Sequence, residues 1–153
     1  METITWLYDD KEVIPKDVLS TESVGTPYGF VYRINYVGGT HYFGKKNFYK
    51  NTTLPALKSG EQRPNSERKG KNVKGKRVYF DIVTKESDWE TYEGSSENTK
   101  ELEVASKEIL QVAYSKRELT YLEVKLLFWM EALEDENCHN ISILKVFFKG
   151  SLR

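Results

Sequence analysis

Apolar and polar positions alternate strictly from Tyr28 to Tyr36. Tyr28, Phe30, Tyr32, Ile34 and Tyr36 fall on one face, and Gly29, Val31, Arg33 and Asn35 on the other. A period of two carried by aromatic and β-branched residues predicts a strand. Gly38-Gly39 follows and can supply the positive φ of a tight turn, after which Tyr42-Phe43-Gly44 resumes the aromatic pattern, so this stretch predicts a β-hairpin. Arg77 to Val83 and Lys107 to Tyr114 are apolar enough for further strands, and Ile141 to Phe148 for a closing strand or sheet edge. Ser87-Asp88-Trp89-Glu90 and Ser115-Lys116-Arg117-Glu118 both have the form of a capping box. They predict a short helix ended by Gly94-Ser95-Ser96 and a longer one running to about Leu133. Between them and the hairpin, residues 58–76 are rich in Gly, Lys, Asn and Ser and nearly empty of large apolar side chains, which predicts a long surface loop.

Two of these elements carry candidate chemistry. Residues equidistant from a hairpin turn face each other, so Tyr32 is expected within about a residue of the Lys45-Lys46 step. An ammonium beside a phenol favours the phenolate, so Tyr32 is expected to lose its proton more easily than a free tyrosine. Turn composition decides whether Tyr42 joins it: a two-residue turn sets Tyr42 on the far face, and only an odd loop or a bulge puts both tyrosines on one face. On the longer helix, Leu119, Leu126, Leu127 and Met130 spread over one arc at ~100° per residue, and Glu123 falls inside it. A carboxylate on an apolar face needs a partner, either a structural Arg or Lys or a divalent cation. Asn140, just past the helix, suits a turn.

Charge divides the chain sharply although the net charge is zero. From Lys45 to Arg77 there are eleven Lys/Arg and two acids, whereas Asp81 to Asn137 holds fifteen acids and six bases. A basic block starting where the tyrosine hairpin ends would attract phosphate backbones and release counterions. The acidic half argues for one polarised face rather than a general nucleic-acid coat. At 153 residues the chain has the size of one domain, and no apolar run approaches the ~18 residues of a membrane span. The acidic N-terminus lacks a hydrophobic signal region and the lone Cys138 has no internal partner, so a reducing cytoplasm is expected.

Phe30-Val31-Tyr32, separated by nine residues from Tyr42-Phe43-Gly44, resembles the paired signature of the GIY-YIG nuclease family. Trp6 and Tyr8, GFVYRI, YFGKK, SDWETYEGSS at 87–96, EILQVAYSK at 108–116, TYLEVKLLF at 120–128 and HNI at 139–141 are similar, in order, to its phage-encoded Seg-like branch. The resemblance spans nearly the whole chain. It implies an α/β (α+β) fold with a small, mainly antiparallel sheet and flanking helices, formed by one domain over residues 1–153 with a basic surface loop at about 58–76. It further implies a homing-endonuclease-like, phage-type enzyme that hydrolyses DNA phosphodiesters with Mg²⁺ or Mn²⁺ in the host cytoplasm. By the same resemblance Tyr32 would activate or orient the attacking water with Lys45 or Lys46, Tyr42 would hydrogen-bond the scissile phosphate, Glu123 would bind the metal, and Asn140 would support the site. Lys50, Arg63, Arg68, Lys69, Lys71, Lys74, Lys76 and Arg77 would bind nucleic acid, expected to be double-stranded DNA, with a homodimer as one arrangement. No membrane partner is expected.

The chain departs from the family pattern in four places. Phe30 replaces the first glycine, and Phe43 replaces the isoleucine of the second tripeptide. The arginine usually carried about ten residues after the second tyrosine has no counterpart near Thr52, since no arginine occurs between Arg33 and Arg63. Lys46 or Lys50 would supply that charge, or Arg63, Arg68 or Arg77 from the loop. Where related sequences read Arg-Glu, this one has Lys107-Glu108, read as a surface change. The alternative function is a catalytically inactive domain of the same fold that binds nucleic acid or protein. Without the resemblance, a small RNA-binding domain stacking bases on Tyr28, Tyr32 and Tyr36 would also fit.

Overall fold

The structure, a computed structural model, describes residues 3–13 and 25–151. The chain gathers into two compact units. One combines the chain up to Phe48 with the chain from Asp88 onward, and the other is Tyr49–Ser87.

The first unit is built on β1 (Trp6–Tyr8), β2 (Lys11–Glu12), β3 (Gly29–Tyr36), β4 (His41–Asn47) and β8 (Val104–Ala113), in the sheet order β2-β1-β8-β3-β4. Only β1 and β8 run parallel, so the sheet is mainly antiparallel as the resemblance implied. β3 lies inside the sheet and is covered on both faces, which explains its run of buried residues. On one face Trp6, Phe30, Phe48 and Trp89 pack edge-on or tilted, with ring centroids 5.0 Å apart for Trp6–Phe30 and 5.1 Å for Phe48–Trp89. On the other, Val31 and Ala113 pack against Leu119 and Leu122 of the helix α1 (Lys116–Trp129). Ser115 caps α1 by accepting from the Glu118 N–H, as its capping box predicts. The helix ends four residues short of the expected Leu133, and Met130 is its exposed C-cap rather than part of the buried arc, which Leu122 completes.

Two expected elements form differently. Residues 88–91 make a turn instead of a helix, with the Thr91 N–H reaching the Asp88 carbonyl at 3.2 Å. Tertiary packing overrides the capping box here. Trp89 is drawn into the aromatic core, and the Glu90 and Tyr92 carbonyls that a helix would bond internally accept instead from the Lys107 ammonium, at 3.1 and 3.0 Å. Ile141–Phe148 is not one strand but a minimal hairpin of β9 (Ser142–Ile143) and β10 (Phe147–Phe148). Leu144 and Lys145 both turn at φ +55°, which interrupts the extended run. Among the described residues there is one α-helix rather than several, and no helix is long and apolar enough to cross a membrane.

The second unit is a three-stranded antiparallel sheet, β5 (Tyr49–Pro55), β7 (Lys76–Glu86) and β6 (Ser66–Val73), in the order β5-β7-β6. The expected loop at 58–76 is therefore corrected: its second half is β6 and the turn into β7. Polar composition hid the strand because pairing with β7, not burial, defines it. Asp81 on β7 has no exposed surface and is gripped by Arg63 and Arg68, each with a nitrogen 3.0 Å from a carboxylate oxygen. Arg68 also donates to the Gly60 and Glu61 carbonyls at 3.1 and 2.8 Å, which folds the remaining loop against the sheet. The two guanidinium groups hold the Asp81 carboxyl below the usual carboxylate range.

Candidate functional site

The hairpin register decides what meets in the first unit. Tyr36 N–H donates to Thr40 O at 2.8 Å, so the loop is Val37-Gly38-Gly39, three residues, with φ +104° and +90° at the glycines. Asn35 therefore pairs with His41, Ile34 with Tyr42 and Tyr32 with Gly44. The odd loop puts Tyr42 on the face of Tyr32, and their ring centroids lie 6.4 Å apart. Gly44 is needed opposite Tyr32, because a Cβ there would stand 2.4 Å from the tyrosine oxygen.

Tyr92, from the turn that Lys107 holds, completes a three-tyrosine cluster. Its ring stands edge-on to that of Tyr32 with centroids 5.9 Å apart, and its hydroxyl donates to Ser95 Oγ at 3.2 Å. Lys46 shares this face, with Nζ 4.0 Å over the Tyr92 ring and 2.6 Å from Asp88 Oδ1. Lys45 projects to the other side of β4, where Nζ donates to Thr120 Oγ1 at 3.2 Å and stands 3.9 Å from Glu123 Oε1. The edge strand β4 thus carries the site on both sides. From its outer edge Asn140 binds the Phe43 backbone twice, accepting from N–H at 2.9 Å and donating to the carbonyl at 2.8 Å, in the manner of a neighbouring strand. The side chain so pins β4 between Tyr42 and Gly44.

The electrostatics correct one expectation. Tyr32 is 2% exposed, and burial, followed by the neighbouring Tyr92 and Tyr42 phenols, pushes its pKa well up rather than down. Both lysines are turned to other partners, so neither favours its phenolate. Tyr42 is half-buried and pushed up to about 12, again chiefly by burial, with Tyr92 and Glu123 adding to it. These hydroxyls stay protonated near neutral pH and act by orientation and hydrogen bonding. Burial also raises the Glu123 carboxyl, and Lys45 opposes the rise. With Tyr32 and Tyr36 buried and Tyr28 half-buried, the three rings expected for base stacking are packing residues.

Glu123 offers a single half-buried carboxylate whose cationic neighbour is too far for a tight ion pair. Such a hard oxygen donor fits the mode in which Mg²⁺ takes one carboxylate and completes its shell with water and substrate phosphate. Among the described residues no three His, Cys, Asp or Glu side chains converge on a metal site, so this one-carboxylate mode is the fitting one.

Sequence reasoning placed Lys107 at the surface, and the structure corrects this: it is fully buried on β8, with Nζ 4.6 Å over the Trp6 ring. Only its pairing with two backbone carbonyls allows burial, and nothing in the linear pattern announces that. Tyr92 was missed as a site residue although it lies inside the 87–96 block. Of the basic residues, Arg63 and Arg68 are committed to Asp81, while Lys50, Lys69, Lys71, Lys74, Lys76 and Arg77 are exposed on the second unit. The stretch about ten residues after Tyr42, around Thr52, is strand β5.

The family model described as "Putative endonuclease segE, GIY-YIG domain" matches residues 6–144. The chain belongs to the SegE-like GIY-YIG endonuclease family. No curated protein and no solved structure matches the chain. Within this SegE-like GIY-YIG domain, Tyr32 pairs with Gly44 across the hairpin, and Gly44 lies beneath the Tyr32 hydroxyl.

Proposed function

We propose that this GIY-YIG domain is a metal-dependent endonuclease that hydrolyses phosphodiester bonds of double-stranded DNA. One observation carries the reading. A half-exposed Tyr42 and Tyr92, a cation at Lys46, and a carboxylate at Glu123 with Lys45 are gathered on the two sides of one edge strand. That set offers hydrogen-bond donors and positive charge where a phosphate's negative charge would rise.

Tyr42, neutral at working pH, and Tyr92 donate hydrogen bonds to phosphate oxygens or hold the attacking water. Tyr32 acts one step back: its buried ring packs edge-on against that of Tyr92 and fixes its place. Lys46 and Lys45 replace the missing family arginine as positive charge, though each meets a phosphate as a point charge rather than a bidentate fork. Glu123 would hold Mg²⁺ or Mn²⁺, which when bound offsets charge on the phosphate and the leaving oxygen. Asn140 keeps Tyr42 and Gly44 in register. In the second unit Lys50, Lys69, Lys71, Lys74, Lys76 and Arg77 supply positive charge that attracts the nucleic acid.

A plasmid-nicking assay with Mg²⁺ tests this directly. Supercoiled plasmid is expected to become nicked, with the activity abolished by EDTA and by Glu123→Ala and strongly reduced in Tyr42→Phe. If the wild-type chain binds duplex but leaves it intact with both Mg²⁺ and Mn²⁺, the domain is a binding module and the nuclease assignment falls.

A further inference from the structure

We propose that the free end of the β6–β7 hairpin is a two-stranded ribbon that reads the major groove of duplex DNA, with Arg77 and Asn72 facing base edges and Lys71, Lys74 and Lys76 on the phosphates. The inference rests on the DNA-nuclease reading for its ligand class but uses residues of the second unit alone.

The observation is geometric. β5 accompanies β7 only as far as the Pro55–Phe80 pair, whereas β6 and β7 continue pairing through Gly70–Tyr79, Lys71–Val78, Asn72–Arg77 and Val73–Lys76. Lys74 and Gly75, at φ +50° and +79°, close the hairpin in two residues with the positive-φ pair of a type I′ turn. Residues 71–79 are all exposed. Four paired positions at ~3.3 Å each extend the ribbon by about 13 Å plus its turn, more than the ~8.5 Å depth of the B-form major groove, and a two-stranded ribbon fits its ~12 Å width.

The chemistry matches the shape. From Lys69 to Tyr79 the ribbon carries five basic residues and no acid. An edge that merely resists aggregation would be served by mixed charges as well. The side chains also divide between the faces. Asn72 and Arg77 are directly opposed on one face together with Gly70 and Tyr79, and Lys71, Val73, Lys76 and Val78 occupy the other. Arg77 lies across Gly70, where a Cβ would come within 2.7 Å of its Nε, and its guanidinium sits 5.9 Å from the Tyr79 ring. A glycine thus keeps the floor clear beneath a planar, five-donor side chain beside an amide. Arginine reads guanine O6 and N7 and asparagine reads adenine N6 and N7, both in the major groove. The deep, narrow major groove of A-form RNA excludes such a ribbon, so duplex DNA is favoured over duplex RNA.

The test is fluorescence anisotropy with a short mixed-sequence DNA duplex in EDTA, which separates binding from cutting. Methylating guanine N7 is expected to weaken wild-type binding several-fold, while netropsin in the minor groove and a duplex RNA of the same sequence are expected to compete poorly. Replacing Lys71, Lys74 and Lys76 together by alanine is expected to lower the slope of log K against log salt by about 3, close to one for each phosphate that is no longer neutralised. Gly70→Ala keeps every charge but displaces Arg77. It is expected to remove the N7-methylation effect and leave the salt slope unchanged, an outcome that general charge attraction would not give. All these positions are at the surface, and circular dichroism checks that the variants fold. Wild-type nicking with unaltered binding by the ribbon variants would overturn the ribbon and leave the nuclease standing. Ribbon-dependent binding without cleavage would overturn only the nuclease.

Discussion

Gly44 shows how one missing side chain shapes the site. The Tyr32 oxygen occupies the space a Cβ would need, so Gly44→Ala forces either the tyrosine or the strand aside. Overpacking of this kind typically costs ~1–3 kcal/mol, and a lower urea midpoint with unchanged m-value is the expected outcome. Tyr92→Phe leaves the ring under Lys46 but removes the hydroxyl that donates to Ser95. It is expected to lower the nicking rate by at least tenfold with little change in stability, as a half-buried hydroxyl bond contributes only about 1 kcal/mol. A similar rate from Tyr92→Phe and wild type would remove Tyr92 from the site. At this scale the inward face of Tyr32 and the place of Glu123 on the helix were legible from alternation and helical phase. The protonation behaviour of Tyr32 was not, since it depends on how completely four aromatic neighbours exclude water.

At the scale of elements, the turn from Asp88 to Tyr92 is held by a buried lysine as well as by its own hydrogen bonds. Burial pushes the Lys107 amine down to about 8, with Glu93 opposing. A folded-state pKa below the unfolded value near ~10.4 means that the unfolded chain binds more protons between those limits. The contribution of Lys107 to stability therefore rises as pH increases from about 8. Chemical denaturation of wild type and Lys107→Met across this window is expected to show the difference moving in favour of wild type. A difference independent of pH would mean that the amine is solvated. The helix cap supplies a local control: Ser115→Ala is expected to cost about 1 kcal/mol at any pH, because it removes one acceptor from an N-terminal N–H. Strands β3, β7 and β8 and helix α1 were readable because each carries a strong period or cap. β6 was not, because a lysine-rich edge strand has the composition of a loop until its partner is known.

For the whole molecule, zero net charge conceals a second unit with ten Lys/Arg and four acids. Nucleic-acid binding is expected to weaken steeply with salt despite a pI near 6.8. One catalytic centre cuts one strand, so a time course on supercoiled plasmid is expected to pass through nicked circles before linear product. Linear product appearing first, with a rate that rises as the square of protein concentration, would show that two copies act together.

By itself the sequence determined the family, the tyrosine hairpin, the capped helix carrying Glu123 and the basic block, because each is written in local periodicity or in residues contiguous along the chain. Only the tertiary structure decided the rest. The three-residue turn, one residue from the alternative, brought Tyr42 to the face of Tyr32 and opposed Gly44 to its hydroxyl. Packing between residues more than seventy positions apart drew Trp89 against the core and closed Lys107 away from water. Asp81, unremarkable in the linear chain, gathered Arg63 and Arg68 and turned half of an apparent loop into a sheet. Pairing and burial depend on distant partners, and no local pattern encodes them.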